Sequence, residues 1–285
     1  MAGSIITGIL VVFLICLFSA YRDSRRFVTV SYEIRSDRIT KPCRMALLSD
    51  LHNRSFGKDN EKLIGRINEL SPDAVLVAGD MLTAKKGQGY DGVLGLMKKL
   101  AANYKVYYGM GNHEQRLWLC PEEYPGVYDG YLAGLREAGI EPLINGSAYL
   151  PEWNIEIYGA LIDRRYFRHF HKAPMGSGYL SGLLGEPRDD AFRLLIAHNP
   201  DYFENYADWG ADLVVSGHVH GGIMRLPFLG GVLSPSLTLF PKYDGGRFTR
   251  GKSTMILGRG LGSHTIPLRF FNPGELVMIA FVPDR

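Results

Sequence analysis

Cysteine is scarce in this 285-residue chain. Cys16, Cys43 and Cys120 are odd in number and far apart, so they form neither a disulfide framework nor a CxxC zinc signature. A disulfide-dense extracellular scaffold is therefore not expected. An excess of one charge is also lacking. The 32 Lys and Arg against 29 Asp and Glu leave a net charge of +3, well short of a dedicated nucleic-acid binder, and no nucleic-acid partner is expected. Internal repeats and low-complexity tracts are missing, and no shift in composition marks a second domain boundary. Finally, no charged side chain occurs from Met1 to Tyr21. The stretch "IITGILVVFLICLFSA" is almost wholly apolar, and a bilayer span needs about 17–25 such residues. Residues 1–21 thus read as a short transmembrane anchor. A basic leader ahead of the apolar run is absent, and Phe18 stands where a cleavage site wants a small residue. Arg22, Arg25 and Arg26 follow directly, while the amino-terminal flank carries no Lys or Arg. The positive-inside rule then gives a single-pass protein of the cell membrane with its main domain in the cytoplasm.

What is present is an alternation of short apolar runs and helical patterns. Residues 22–43 form a connector containing the alternating strand "VTVSYEI", and one large domain occupies 44–285. "MALLS" predicts a buried strand, "DNEKLIGRINEL" a helix with Leu63, Ile64, Ile67 and Leu70 on one face, and "AVLVAGD" a second strand. "DGVLGLMKKLA" predicts a helix, "KVYYGMGNHE" a strand, and "YDGYLAGLREAGI" a helix that Gly139 caps. "NIEIYGALI", "FRLLIAHNP" and "ADLVVSGHVHGG" are three further apolar runs. Strands alternating with helices indicate an α/β fold, in which ligands bind beyond the carboxyl ends of the strands.

Polar clusters fall at those ends: Asp50 with His52, then Asp80, Asn112 with His113, His198, and His218 with His220. Five of the chain's eight histidines are among them. In an extended chain Asp50 and His52 would project to the same side. Imidazole, carboxylate and amide oxygen together suit two divalent ions, Mn, Fe or Zn, with manganese favoured. Two such ions bring +4 against −2 from Asp50 and Asp80, which leaves a site charged to receive a phosphate oxyanion and to hydrolyse its ester.

"SDLH", "AGD", "GNHE", "AHNP" and "SGHVHGG" follow one another as in the calcineurin-like metallophosphoesterases, and the chain resembles that family across 49–222. The tail, through "LFPKYDGGRF" and "GRGLGSHTIPLRFFNPGELV", resembles its membrane-associated bacterial branch, of the UDP-2,3-diacylglucosamine pyrophosphatase type. The resemblance implies a four-layer α/β/β/α sandwich behind the transmembrane helix. It implies Asp50, His52 and His220 on one metal, Asn112, His198 and His218 on the other, and Asp80 bridging them. His113 would be no ligand but would contact the phosphate and protonate the leaving oxygen. Where the family's protein phosphatases continue with V-D-R-G, this chain reads "GDMLTAKK", which argues against a protein substrate and leaves the partner that orients His113 open, with Glu114 a candidate by adjacency. The expected reaction is hydrolysis of a phosphodiester or pyrophosphate in a lipid-linked or nucleotide-linked substrate. The alternatives are soluble cyclic or linear nucleotides, or a non-catalytic metal-binding scaffold. His264 reads as structural, and the three tryptophans as packing residues. Residues 163–187 combine Arg164, Arg165, Arg168 and Lys172 with Tyr166, Phe167 and Phe170, and they exceed the ~12–15 residues usual for a loop. They suit a membrane-facing flap as well as a plain surface excursion.

Overall fold

The computed structural model describes residues 2–168, 172–226, 229–233, 239–263 and 268–284. Along the chain, helix α1 (Ala2–Asp23) leads into β1 (Phe27–Ser36), β2 (Cys43–Leu48), α2 (Glu61–Leu70), β3 (Ala74–Ala78), α3 (Asp91–Ala101) and β4 (Lys105–Gly109). Helices α4 (Asn112–Leu119) and α5 (Val127–Glu137) precede β5 (Gly146–Leu150), β6 (Ile155–Ala160), α6 (Tyr179–Leu184), β7 (Phe192–Ala197), α7 (Phe203–Trp209) and β8 (Leu213–Ser216). Five strands finish the chain: β9 (Met224–Leu226), β10 (Gly230–Leu233), β11 (Gly246–Arg250), β12 (Ser253–Leu257) and β13 (Gly274–Pro283).

Two mixed sheets result, ordered β1-β13-β2-β3-β4 and β11-β12-β8-β7-β6-β5, with β9 and β10 as a separate hairpin. The central strands are apolar on both faces because both faces are covered. Met45, Leu47 and Leu76 of the first sheet meet Leu194, Ile196 and Val215 of the second in one buried cluster. On the outer face of the first sheet, Leu63, Leu96 and Leu135 bring α2, α3 and α5 onto Leu48 and Val77. On the outer face of the second, Leu180 and Tyr206 bring α6 and α7 onto Leu195 and Val214. Strands β2, β3 and β4 are parallel, as are β6, β7, β8 and β12, so their carboxyl ends gather on one side.

Three features depart from the sequence reading. Helix α1 continues two residues past the expected anchor, to Asp23, and Ser19, Ala20 and Asp23 are buried against the domain. Asn112 and His113 open helix α4 rather than close a strand, since the chain turns at Gly111 immediately after β4. The final strand β13 inserts between β1 and β2, a long-range pairing that no local pattern encodes. Trp209 packs in the core as expected, whereas Trp118 is half exposed and stacks on Tyr128. His264 and Phe170 lie outside the described residues.

The sheets approach closely at Gly109, where an added Cβ would stand 2.4 Å from Ile196 Cγ2. Gly109→Ala should therefore destabilise the fold by about 1–3 kcal/mol through overpacking. Ile196→Ala removes the clashing methyl, so the double variant should be more stable than the sum of the single effects predicts, as read by urea unfolding. Strict additivity would refute the contact.

Candidate metal centre

The site is built where the backbone leaves the strands. Asp50, His52, Asp80, His218 and His220 all adopt positive φ, between 50° and 75°. The extended-chain expectation for Asp50 and His52 is thus replaced by a left-handed one, which Asp, Asn and His tolerate better than most residues. Main-chain bonds hold the strain: Asp50 N donates to Gly79 O, His52 N to Asp80 O and Asn53 N to Met81 O, so the loops after β2 and β3 run side by side. Space for this comes from missing side chains. A Cβ on Gly111 would lie 2.2 Å from Asp80 Oδ1, and one on Gly217 would lie 2.3 Å from Asp50 Oδ2.

Seven of the eight residues singled out by sequence, all but Asn112, fall into shared clusters. Three overlapping groups have ligand atoms within 4.8 Å of one another: Asp50, His52 and His220; Asp80, His198 and His218; and His52, Asp80 and His113. Asp80 spends Oδ1 on the His113 N–H at 2.8 Å and turns Oδ2 between the two histidine sets, 3.0 Å from His198 Nε2 and 3.9 Å from His52 Nε2. Asp50 Oδ1 accepts the His218 N–H at 2.8 Å. His198 Nδ1 faces Ala78 O at 2.6 Å and His220 Nδ1 faces Gly262 O at 3.2 Å. A carbonyl only accepts, so both rings carry Nδ1–H and present Nε2 to the centre. The Nε2 atoms of His52 and His220 stand 3.3 Å apart, close to the separation of two nitrogens that share an ion at about 2.1 Å. Asp50 Oδ2 and Asn112 Oδ1 are buried without a hydrogen-bond partner, and His198 Nε2, though near Asp80, is not aligned for a hydrogen bond. Buried lone pairs converging without donors fit divalent cations.

The electrostatics agree. Burial lifts the Asp50 carboxyl to about 6, with His198 opposing the rise. Burial alone would depress His198, but the Asp80 charge, and then Asp50, carry it to about 10. Asp80 falls well below the usual carboxylate range because His198 and then His113 outweigh its burial.

The calcineurin-like phosphoesterase profile matches residues 43–222, more than half of the sequence. The chain belongs to this family. The uncharacterized metallophosphoesterase YkuE of Bacillus subtilis (strain 168) is 26% identical over 269 residues, covering 92% of this chain and 87% of its own. The phosphodiesterase YaeI of Escherichia coli (strain K12) is 26% identical over 228 residues, covering 78% and 76%. The UDP-2,3-diacylglucosamine pyrophosphatase LpxG of Chlamydia muridarum (strain MoPn / Nigg) is 22% identical over 279 residues, covering 83% and 82%. As a calcineurin-like phosphoesterase the chain is a metal-dependent phosphoric ester hydrolase whose His and Asp clusters suit a dinuclear site.

Two partners in this calcineurin-like centre escaped sequence reasoning. The Ala84 N–H donates to His113 Nδ1 at 2.9 Å, so the residue that orients His113 is a backbone amide of the "GDMLTAKK" segment and not Glu114. An amide nitrogen cannot accept, so this bond requires an unprotonated Nδ1 and leaves the ring proton on Nε2. Burial, the largest influence on this ring, lowers its pKa. Glu114 instead ties loops together. Its carboxylate accepts from Asp80 N and Gly111 N at 2.9 Å each, from Leu82 N at 3.0 Å and from Tyr108 OH at 3.4 Å. Burial, with Asp80 beside it, pushes this carboxyl up to about 7, against hydrogen bonds that favour the charged form. Within the 163–187 segment, Tyr166 and Phe167 pack against the domain. Tyr166 is buried, Asn199 Nδ2 donates to its carbonyl, and the Phe167 ring stands edge-on to His218 at 5.4 Å. Arg164, Arg165 and Arg168 remain exposed at the rim.

Because Gln offers one acceptor where Glu offers two, Glu114→Gln should leave buried N–H groups unpaired. We expect a loss of about 1–3 kcal/mol in stability together with a fall in bound metal, read by thermal melting and elemental analysis. Unchanged melting and metal content would mean that Glu114 works as the neutral acid.

Proposed function

We propose that the protein is a membrane-anchored dinuclear phosphoesterase that hydrolyses a phosphodiester or pyrophosphate bond of a lipid-linked substrate. The observation that carries this reading is topological. Strand β1 runs parallel to β13 and therefore antiparallel to β2, so α1 meets the domain on the same side as the metal centre. The last turns of α1 are tied to the segment that supports the site: Phe271 N donates to Ser19 Oγ at 2.9 Å, and Arg269 N donates to Ser24 Oγ at 3.2 Å. The buried Arg269 guanidinium in turn donates to the carbonyls of Arg259, Gly260 and Gly262, and Gly262 N donates to Asp50 O at 2.6 Å. Among the described residues, α1 is the one helix long and apolar enough to cross a bilayer. Arg22, Arg25 and Arg26 at its end favour a cytoplasmic catalytic domain. A bilayer substrate would thus reach the metals without leaving the interface. The relative LpxG bears the name of a pyrophosphatase of a diacylated substrate, which supports the same class.

In this reading Asp50, His52 and His220 hold one ion, Asn112, His198 and His218 the second, and Asp80 both, with manganese favoured. Two ions so held supply Lewis acidity toward the phosphoryl oxygens and lower the pKa of an attacking water. The chain's own residues fix the rest. Asp80 keeps one oxygen on the His113 amide and so carries a single orientation. His113, held by Ala84, offers Nε2–H to a phosphoryl oxygen as negative charge builds there. This replaces proton delivery to the leaving group, since the cation that would deliver it cannot keep the Ala84 bond. Phe167 places an apolar ring edge-on beside His218 on that flank.

Asp80→Asn should lose most bound metal and turnover while the far-ultraviolet circular dichroism stays that of the wild type. Two metals per chain with near-normal activity in this variant would refute the bridging assignment. His113→Ala should retain metal and lose about 10²–10³-fold in kcat. With a hydrogen-bond donor the loss is similar for nitrophenyl and alkyl diesters. A loss that grows with leaving-group pKa would restore leaving-group protonation.

A further inference from the structure

Where α1 meets the domain, a groove of about 650 Å³ is lined by Leu17, Tyr21, Arg25, Arg54 and Leu268. Its polar end holds two arginines that, among the described residues, pair with no carboxylate. The Arg25 guanidinium lies 3.9 Å over the Tyr21 ring, and its one hydrogen bond goes to Tyr21 O at 3.4 Å. Arg54 stands over Phe56, and its Nε is buried without a hydrogen-bond partner. Both arginines line this one groove, which so holds two cations. An unpaired buried donor beside a second cation is costly unless an anion joins them.

The other wall is apolar and continuous with exposed hydrophobic surface. Leu226, Leu229, Leu239, Phe240, Leu268 and Phe271 are each at least 36% exposed. Hydrogen bonds from Arg225 N to Phe270 O and from Phe270 N to Ile223 O join the hairpin β9–β10 to the 268–271 turn, which Ser19 fastens to α1. A soluble anion would have no use for this ridge beside a helix that is itself exposed and apolar.

We propose that the groove binds the phosphate headgroup of an anionic bilayer lipid, with Arg25 and Arg54 on the phosphate and Leu17, Tyr21 and Leu268 along the first carbons of its chain. The inference rests on the proposed membrane anchoring and adds a lipid subsite distinct from the metal centre, which Arg54 adjoins two residues after His52. The lipid held there fixes the tilt of the domain against the bilayer.

The test is native mass spectrometry of the full-length protein released from nanodiscs of phosphatidylglycerol and phosphatidylcholine. Wild type should retain phosphatidylglycerol in preference to phosphatidylcholine. Arg25→Gln with Arg54→Gln should reduce that retention at least tenfold, Arg25→Lys with Arg54→Lys should preserve it, and the exposed Arg25→Gln alone should weaken it with metal content intact. Equal retention of both lipids, or unchanged retention in the double Gln variant, overturns the proposal. Complete displacement by excess inorganic phosphate would assign the arginines to a free anion and overturn it too. Retention is read without turnover. A protein that keeps anionic lipid but hydrolyses no vesicle-borne phosphodiester contradicts the proposed reaction alone, and the reverse result contradicts the groove alone.

Discussion

Two carboxylates and a ring of imidazole lone pairs are buried in one small volume, and the rest of the structure serves that arrangement. Asp50 and Asp80 are 0% and 1% exposed, and solvent does little to stabilise their charge. A compensating positive charge must sit among them, because an unpaired buried ion costs several kcal/mol. Where no ion is bound, a proton on His198, favoured by the Asp80 and Asp50 charges, can supply part of it. Divalent ions held by these residues would supply all of it, and Asp50 Oδ2 and Asn112 Oδ1, which protein donors leave unpaired, are free to bind them.

Concentrating these ligands requires backbone that ordinary strands do not provide. Five of the seven proposed metal ligands have positive φ. Such residues cost on the order of 1–3 kcal/mol each and persist where their surroundings over-determine them. Here Glu114 binds three main-chain amides of two loops, and Arg269 gathers the carbonyls of the 259–262 segment beneath Asp50. The 269–271 turn that carries Arg269 receives α1 through Ser19 and Ser24. Ligand geometry, loop strain and helix attachment therefore form one connected framework.

Much of this was legible in the sequence because it is local. The α3 pattern is found as read, and the runs ending in Asp50, Asp80, His198 and His218 are strands or strand exits. Residue types able to ligate a metal stand just past β2, β3, β7 and β8, and the structure brings Asp50, His52, Asp80, His113, His198, His218 and His220 together. What was hidden is non-local or main-chain in nature. The insertion of β13 reverses β1 and turns α1 toward the site, yet nothing in "GELVMIAFVP" names its neighbours. The partner of His113 is the amide of Ala84, which has no side-chain signature. Glu114 adjoins His113 in sequence but turns to the amides of Asp80, Leu82 and Gly111, because consecutive residues on a helix diverge. Tyr166 and Phe167 turn inward onto Tyr202 and His218, while exposed apolar residues lie on α1, the β9–β10 hairpin and the 268–271 turn.

The most direct measurement is phosphodiesterase activity against metal bound per chain, as chelator-stripped full-length protein is reloaded with manganese. Turnover should be negligible without metal and should rise to its full value only as the second equivalent binds. Full activity at one metal per chain, or any substantial activity in the stripped protein, would contradict a centre in which Asp80 joins two ions.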